Sequence, residues 1–228
     1  RMGGKVFEGR QDLNGVNLSM AIGFGDKRTN LITLRQNFNL VRTIGRIAII
    51  IDDIGYQDPE LIKKFCALKQ RITLSIFPDE TRAVWAAKLA VSEGHGVMVH
   101  LPMEPIDFPE RDPGPSAIFS DYSEEKIRIL TKKALVSIPF ARGINNHMGS
   151  RVTKNRKAIR SVLKEIQKAE LYFIDSVTSP ESIAYDMAQD MGIRSGRNTL
   201  FLDLQKEPEA VEGALYFLAK EARREGTV

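Results

Sequence analysis

The pattern of apolar and polar positions changes character once along the chain. Leu18, Met20, Ile22 and Phe24, then Ile32 and Leu34, alternate with small or polar residues on either side of the turn-rich stretch 25–30. A period of two belongs to strands with one buried face, so this part predicts a β-hairpin. From Ile47 to Ile51 the chain is apolar without a break, and then it meets Asp52 and Asp53. Such a run predicts a strand buried on both faces, as parallel sheets require. Strands at 72–77, 97–101, 142–146, 171–175 and 199–202 then alternate with helices at 59–68, 81–93, 123–136, 153–169, 181–191 and 207–225. Proline opens the first helix, Gly94 closes the second and Thr153 is the expected cap of the fourth. Six such repeats predict an α/β fold, either a parallel barrel or a doubly wound sheet. The expected organisation is a β-rich appendage over 1–42 and an α/β domain over 43–228. A further strand is due at Gly226-Thr227-Val228, where the sequence stops, so a barrel is expected to lack its last strand there.

Composition adds limits. The 228 residues are 43% hydrophobic and 27% charged, enough for a core that needs no disulfide staple. The single cysteine, Cys66, excludes an internal disulfide framework and says nothing of compartment. The net charge of +4 comes from scattered Lys and Arg, which reads as a solvated face and not as a nucleic-acid groove. No stretch is apolar for long enough to span a membrane. The start Arg1-Met2-Gly3-Gly4 reads as a junction, which leaves a removed targeting segment open.

The candidate chemistry lies at strand ends: Asp52 and Asp53, His100 with Glu104, Asn145-Asn146-His147, and Asp175-Ser176. In a parallel fold those ends share one face, where active sites form. One Asp after a strand is most often a helix cap, and one His among apolar residues is most often packed and hydrogen-bonded. Four polar strand ends together outweigh that reading. An aspartate, an imidazole and a glutamate in one pocket make a first shell for a divalent cation: zinc, or manganese, iron or magnesium. Pro102 is expected to break its strand and let His100 and Glu104 turn to one point. The proline-rich stretch 102–122 reads as a functional loop over one end of the domain. His95, at a helix exit, reads as a structural cap.

Ile50-Ile51-Asp52-Asp53-Ile54-Gly55, the run from Gly94 through His100-Leu101-Pro102-Met103-Glu104-Pro105, Gly143-Ile144-Asn145-Asn146-His147-Met148-Gly149-Ser150 and Tyr172-Phe173-Ile174-Asp175-Ser176 resemble the divergent polysaccharide deacetylases, remote relatives of the NodB-type carbohydrate esterases. The resemblance covers residue 46 to the end. It implies a distorted (β/α)7 barrel holding a divalent metal and acting on an N-acetylated cell-envelope polysaccharide, in the periplasm or elsewhere outside the cytoplasm. It also implies Asp52 as general base and Asp53 as metal ligand. His100 matches the first His of the family's His-Ser/Thr-x-x-His-Pro segment, and Glu104 replaces the second. The Arg-x-Pro-Tyr segment is not recognisable; Asn145, Asn146 and His147 stand near its place. The late Leu-x-His has no counterpart, which leaves His147 as the expected acid, and Asp175 resembles the catalytic residue that orients the missing His. Asn145, Asn146 and Ser176 are expected to contact substrate. A catalytically silent barrel that binds glycan or an envelope protein is the alternative implication.

Overall fold

The computed structural model describes residues 4–12, 17–35 and 45–228. The chain divides into two compact units, Arg1–Ile44 and Gly45–Val228. The expected boundary at 42/43 falls on 36–44, outside the described residues.

In the first unit three antiparallel strands run side by side: β1 (Gly4–Gln11), β2 (Asn17–Phe24) and β3 (Lys27–Arg35). β2 and β3 are the alternating segments of the sequence, and Gly25 takes the left-handed backbone their turn requires (φ 56°). The apolar side chains fall in register across the strands, Leu18 opposite Leu34 and Met20 opposite Ile32. β1, whose sequence lacks clear alternation, adds a third strand through Ile22 opposite Val6.

In the second unit six parallel strands form one sheet in sequential order: β4 (Ile50–Ile54), β5 (Thr73–Ile76), β6 (Gly96–Met103), β7 (Gly143–Met148), β8 (Tyr172–Asp175) and β9 (Ser195–Arg197). The helices between them are α1 (Pro59–Cys66), α2 (Ala83–Ser92), α3 (Glu124–Ser137), α4 (Arg156–Lys168) and α5 (Ala184–Asp190), and α6 (Pro208–Glu225) follows β9. A doubly wound sheet reverses its strand order part-way. This one does not, so the arrangement is barrel-like. After α6 the chain runs beside the residues that lead into β4. Arg46 N–H donates to Gly226 O at 2.9 Å, Ala48 N–H to Val228 O at 3.0 Å and Val228 N–H to Arg46 O at 2.9 Å. The last residues therefore start a parallel pairing at the β4 end of the sheet, where the sequence pattern expected the strand to be missing.

The core joins sheet to helices. Leu74, Ile76, Val99, Leu101, Ile144 and Phe173 are fully buried. α4 faces them with Ile159, Val162, Leu163 and Ile166, and α2 with Ala83, Ala86, Ala87 and Ala90. The first set shows the spacing of a helix with one apolar stripe; the second is small enough to let α2 lie close to β5 and β6. α3 and α4 are tied by the buried Glu165 carboxylate, which accepts from Arg128 at 2.9 Å and from Lys168 at 2.7 Å.

Three expectations change. Strand β9 forms at Ser195–Arg197 and not at 199–202. Its Ser-Gly-Arg sequence has little strand preference of its own, and backbone pairing of Phe173 with Ser195 and of Asp175 with Arg197 supplies the order. α4 is capped by Asn155, whose side chain accepts from Lys157 and Ala158 N–H at 3.1 Å, while Thr153 sits in a preceding short 3-10 turn and donates to Gly149 O. Pro102 does not break β6, which continues to Met103. A parallel strand offers each residue hydrogen bonds on one side only, and the Pro102 carbonyl is used by Ile118 N–H at 2.9 Å.

Candidate metal centre

Both carboxylates of β4 turn toward the same place. In a regular strand Asp52 and Asp53 would point to opposite faces. Here the register with β5 shifts between Ile51 and Ile54, and Asp53 adopts a left-handed backbone (φ 60°). A non-glycine residue rarely takes that conformation unless its surroundings impose it. Gln57 imposes it in part: its side chain donates to Asp53 O and accepts from Gly55 N–H at 3.0 Å. Gly55 itself has φ 136°, and an added Cβ would stand 2.7 Å from the Glu80 Cβ.

His100 lies on β6 and His147 on β7. In the ladder His100 stands opposite Asn145 and Pro102 opposite His147. Alternation therefore sends Asn145 and His147 to one face of β7 and Asn146 to the other. Three atoms converge there. Asp53 Oδ1 is 3.0 Å from His100 Nε2 and 3.0 Å from His147 Nδ1, and the two ring nitrogens are 3.1 Å apart. Phe77, just beyond β5, packs edge-on against both imidazoles at 5.0 and 4.8 Å between ring centroids.

The tautomer of His100 follows from its neighbours. Asn145 Nδ2 donates to Asp52 Oδ1 at 2.9 Å, and a carboxylate can only accept. That orientation makes Asn145 Oδ1 the acceptor for Ser75 Oγ–H at 2.6 Å and for His100 Nδ1 at 2.8 Å. His100 therefore carries its proton on Nδ1, and in the neutral ring Nε2 presents a lone pair toward Asp53. Asp53 Oδ1 is buried and accepts no hydrogen bond, although two ring nitrogens stand at 3.0 Å. In their protonated forms the imidazoles of His100 and then His147 donate to Asp53 and hold its carboxyl well below the ordinary carboxylate range, against burial, which acts the other way. For His100 burial opposes the charge most, but Asp53, Asp52 and Asn145 together outweigh it and raise its pKa. An orphaned carboxylate oxygen facing two ring nitrogens, one with a fixed lone pair, is a donor set for one divalent ion. Distances near 3 Å between donors suit ligands about 2.0–2.2 Å from a common centre.

Not every expected residue joins this cluster. Glu104 stands apart from it, and His147 occupies the place expected of Glu104. Because β6 runs straight through Pro102, Glu104 lies four residues past His100, about 13 Å along the strand. Its carboxylate is taken by Ser120 and Arg151. His147 is thus a member of the cluster. Asp175 is buried and spent on its own loop: it accepts from Val177 N–H at 2.8 Å, Ser182 Oγ–H at 2.6 Å and Tyr185 N–H at 3.2 Å. Asn145, Asn146 and Ser176 are buried. Asn146 donates to Met148 O at 2.7 Å and accepts from Ser176 N–H at 2.9 Å, which holds the ends of β7 and β8 together. His95 is buried at the other end of the sheet, where Nε2 donates to Cys66 O at 2.8 Å and Nδ1 accepts from Ile72 N–H.

The sequence reading missed Ser75, Tyr56 and Phe77. A cavity of about 280 Å3 opens beside the cluster, walled by Asp53, His147, Tyr56, Phe77 and the loop residues 112–116. A serine inside the otherwise apolar strand 72–77 was the one available signal, since a buried hydroxyl requires a partner.

Residues 49–228 match the family described as divergent polysaccharide deacetylase. The chain belongs to that family. It is 34% identical over 159 residues to the uncharacterized protein YibQ of Escherichia coli, which covers 70% of this chain and 49% of YibQ. It is 30% identical over 182 residues to an uncharacterized protein of Haemophilus influenzae, covering 80% of this chain and 64% of that one. The chain thus spans about half to under two thirds of the length of these relatives. The crystal structure of the uncharacterized protein ATU2773 from Agrobacterium tumefaciens superposes with a TM-score of 0.77 at 23% identity, over 84% of this chain and 78% of that one. That likeness shows the fold. No helix among the described residues is long and apolar enough to cross a membrane.

Proposed function

We propose that this chain is a metal-dependent deacetylase that hydrolyses N-acetyl groups on a cell-envelope polysaccharide, peptidoglycan or a chitin-like glycan, in the periplasm or elsewhere outside the cytoplasm. The observation that carries the reading is the triangle of Asp53 Oδ1, His100 Nε2 and His147 Nδ1, with sides of 3.0, 3.0 and 3.1 Å, in the wall of the cavity. Two imidazoles and one carboxylate suit zinc first, with manganese, iron or magnesium as alternatives. When bound, such an ion lowers the pKa of a water and polarises an acetamide carbonyl.

The chain's own residues supply the rest. Asp52 is partly exposed beside the triangle and is oriented by the Asn145 amide at 2.9 Å. It takes the proton of the attacking water. His147 is engaged through Nδ1, and His95 is at the far end of the sheet. Asp52, once protonated, returns the proton to the leaving nitrogen, with Asp79, Glu80 and Asp112 as the other carboxylates that line the cavity. Tyr56 and Phe77 give the cavity an aromatic wall for a sugar face. At about 280 Å3 the cavity is at the small end for ligand sites and suits on the order of one sugar ring.

The test is acetate release from acetylated chitooligosaccharides and peptidoglycan fragments. Asp52→Asn should lower turnover by about 10²–10⁴-fold, and chelation should remove it. Retained turnover in both would defeat the reading. A glycan-binding barrel without turnover is the second reading, favoured by one observation: no histidine apart from the clustered His147 lines the cavity among the described residues. Glycan binding with no acetate release from any of these substrates would select it.

A further inference from the structure

Glu104 is a buried carboxylate at the exit of β6, outside the metal cluster, and it is fully engaged. One oxygen accepts the N–H of Ser120 at 2.8 Å and its O–H at 2.6 Å. The other is 3.4 Å from Arg151 Nε. Its backbone is used as well: Glu104 N–H donates to Ile118 O at 2.8 Å, and Glu104 O accepts from Arg151 and Val152 N–H at 3.2 and 3.4 Å. Arg151 continues the chain of contacts by donating through Nη2 to Ile106 O at 2.6 Å, while Ser150 Oγ accepts from Ile106 N–H at 2.9 Å. These bonds join one foot of the segment 105–119 to the turn that follows β7 and the other foot to Glu104, which is itself bonded to that turn. The middle of that same segment, residues 112–116, forms one wall of the cavity beside Asp53 and His147. Most of its backbone has no strand or helix partner, so its position depends on how its feet are held.

We propose that Glu104, Ser120 and Arg151 form a clasp that fixes the segment 105–119 as a wall of the cleft, and that Glu104 is a positioning residue for substrate and not a metal ligand. The inference rests on the cleft being the substrate site. The carboxylate suits the task because it accepts two hydrogen bonds from one foot and faces the guanidinium that grips the other. Release of the clasp would leave the cluster intact, since Asp53, His100 and His147 are positioned by β4, β6 and β7 and by Asn145.

The experiment compares Glu104→Gln, Glu104→Ala and Asp53→Ala with the unaltered chain by zinc binding, backbone amide exchange and steady-state kinetics. In Glu104→Ala the amides of Ile106, Ile118 and Ser120 should exchange about tenfold faster or more, with zinc affinity unchanged. KM should rise about fivefold or more while kcat stays within about twofold, because the wall contributes to binding and not to the chemical step. Glu104→Gln, which keeps an acceptor for Ser120, should recover part of both effects. A tenfold or larger loss of zinc affinity in Glu104→Gln, or unchanged exchange across 105–119 in Glu104→Ala, overturns the proposal. If the Glu104 variants do not fold, Arg151→Gln at a half-exposed side chain carries the same exchange and zinc readouts. Asp53→Ala tests the underlying site reading on its own: zinc binding retained there would sink the metal centre and leave the clasp to be judged by amide exchange.

Discussion

His100 Nδ1 and Asn145 Oδ1 are 2.8 Å apart, and this single contact decides which nitrogen of His100 faces the cluster. Asn145 cannot be turned over without losing its bond to Asp52, so Asp52 fixes the amide, the amide fixes the imidazole, and the imidazole presents Nε2. Partners of this kind typically account for 10–100-fold in metal affinity. Asn145→Ala should therefore weaken zinc binding by about that factor. It should also cost about 1–3 kcal/mol of stability, because it strands the Ser75 hydroxyl and the His100 N–H in the core. Competition titration and urea denaturation measure the two effects separately. Unchanged zinc affinity would show that His100 is held some other way.

His100 and Asp53 give the metal-free protein a defined response to pH. His100 has a raised pKa in the fold, so its contribution to stability is complete below its unfolded value of about 6.5 and is lost as pH rises through the folded value. Asp53 has a depressed pKa, so its contribution is complete above about 3.9 and is lost as pH falls toward the folded value. In chelator the thermal midpoint should pass through a maximum between about pH 4 and 6.5 and decline above it. With zinc present the neutral imidazole is required, so affinity should rise over the range in which the metal-free form weakens. Thermal scans with and without chelator check this. A metal-free midpoint that keeps rising above pH 7 contradicts it.

Gly55 makes a third test. An alanine there must hold φ 136°, where side chains are strained, and its Cβ would press on Glu80 at 2.7 Å. Gly55→Ala should cost about 1–3 kcal/mol in urea denaturation. It should also weaken zinc binding, since the same bend aims Asp53. A variant as stable as the parent would mean that the loop relaxes freely.

Asp175 separates the geometry from the family expectation. It holds Val177, Ser182 and Tyr185, and among the described residues no histidine is hydrogen-bonded to it. Asp175→Asn should lower stability by about 1–3 kcal/mol and leave zinc affinity unchanged. A loss of acetate release with unaltered stability would restore the role that the resemblance implied.

The regular parts of the barrel-like unit were legible because burial on both faces leaves a plain mark, the apolar runs before Asp52 and around Phe173. β9 was not: Ser195-Gly196-Arg197 is ordered by pairing with β8, which no local pattern encodes. At the site, ending β7 at Asn146 hid the phase that puts His147 on the same face as Asn145. Treating Pro102 as a break then left Glu104 as the apparent partner of His100.

The sequence alone determined the inventory: which strands end in acids, imidazoles and amides, and that those ends share one face of a parallel sheet. Tertiary structure decided the grouping. A bulge and a left-handed Asp53 brought two consecutive carboxylates to one side, and the β6–β7 register brought His147 to His100. The reason is physical. Residue type and period follow from local chemistry, whereas which donors lie within 3 Å of one another depends on register and backbone bends set by contacts between strands distant in the chain.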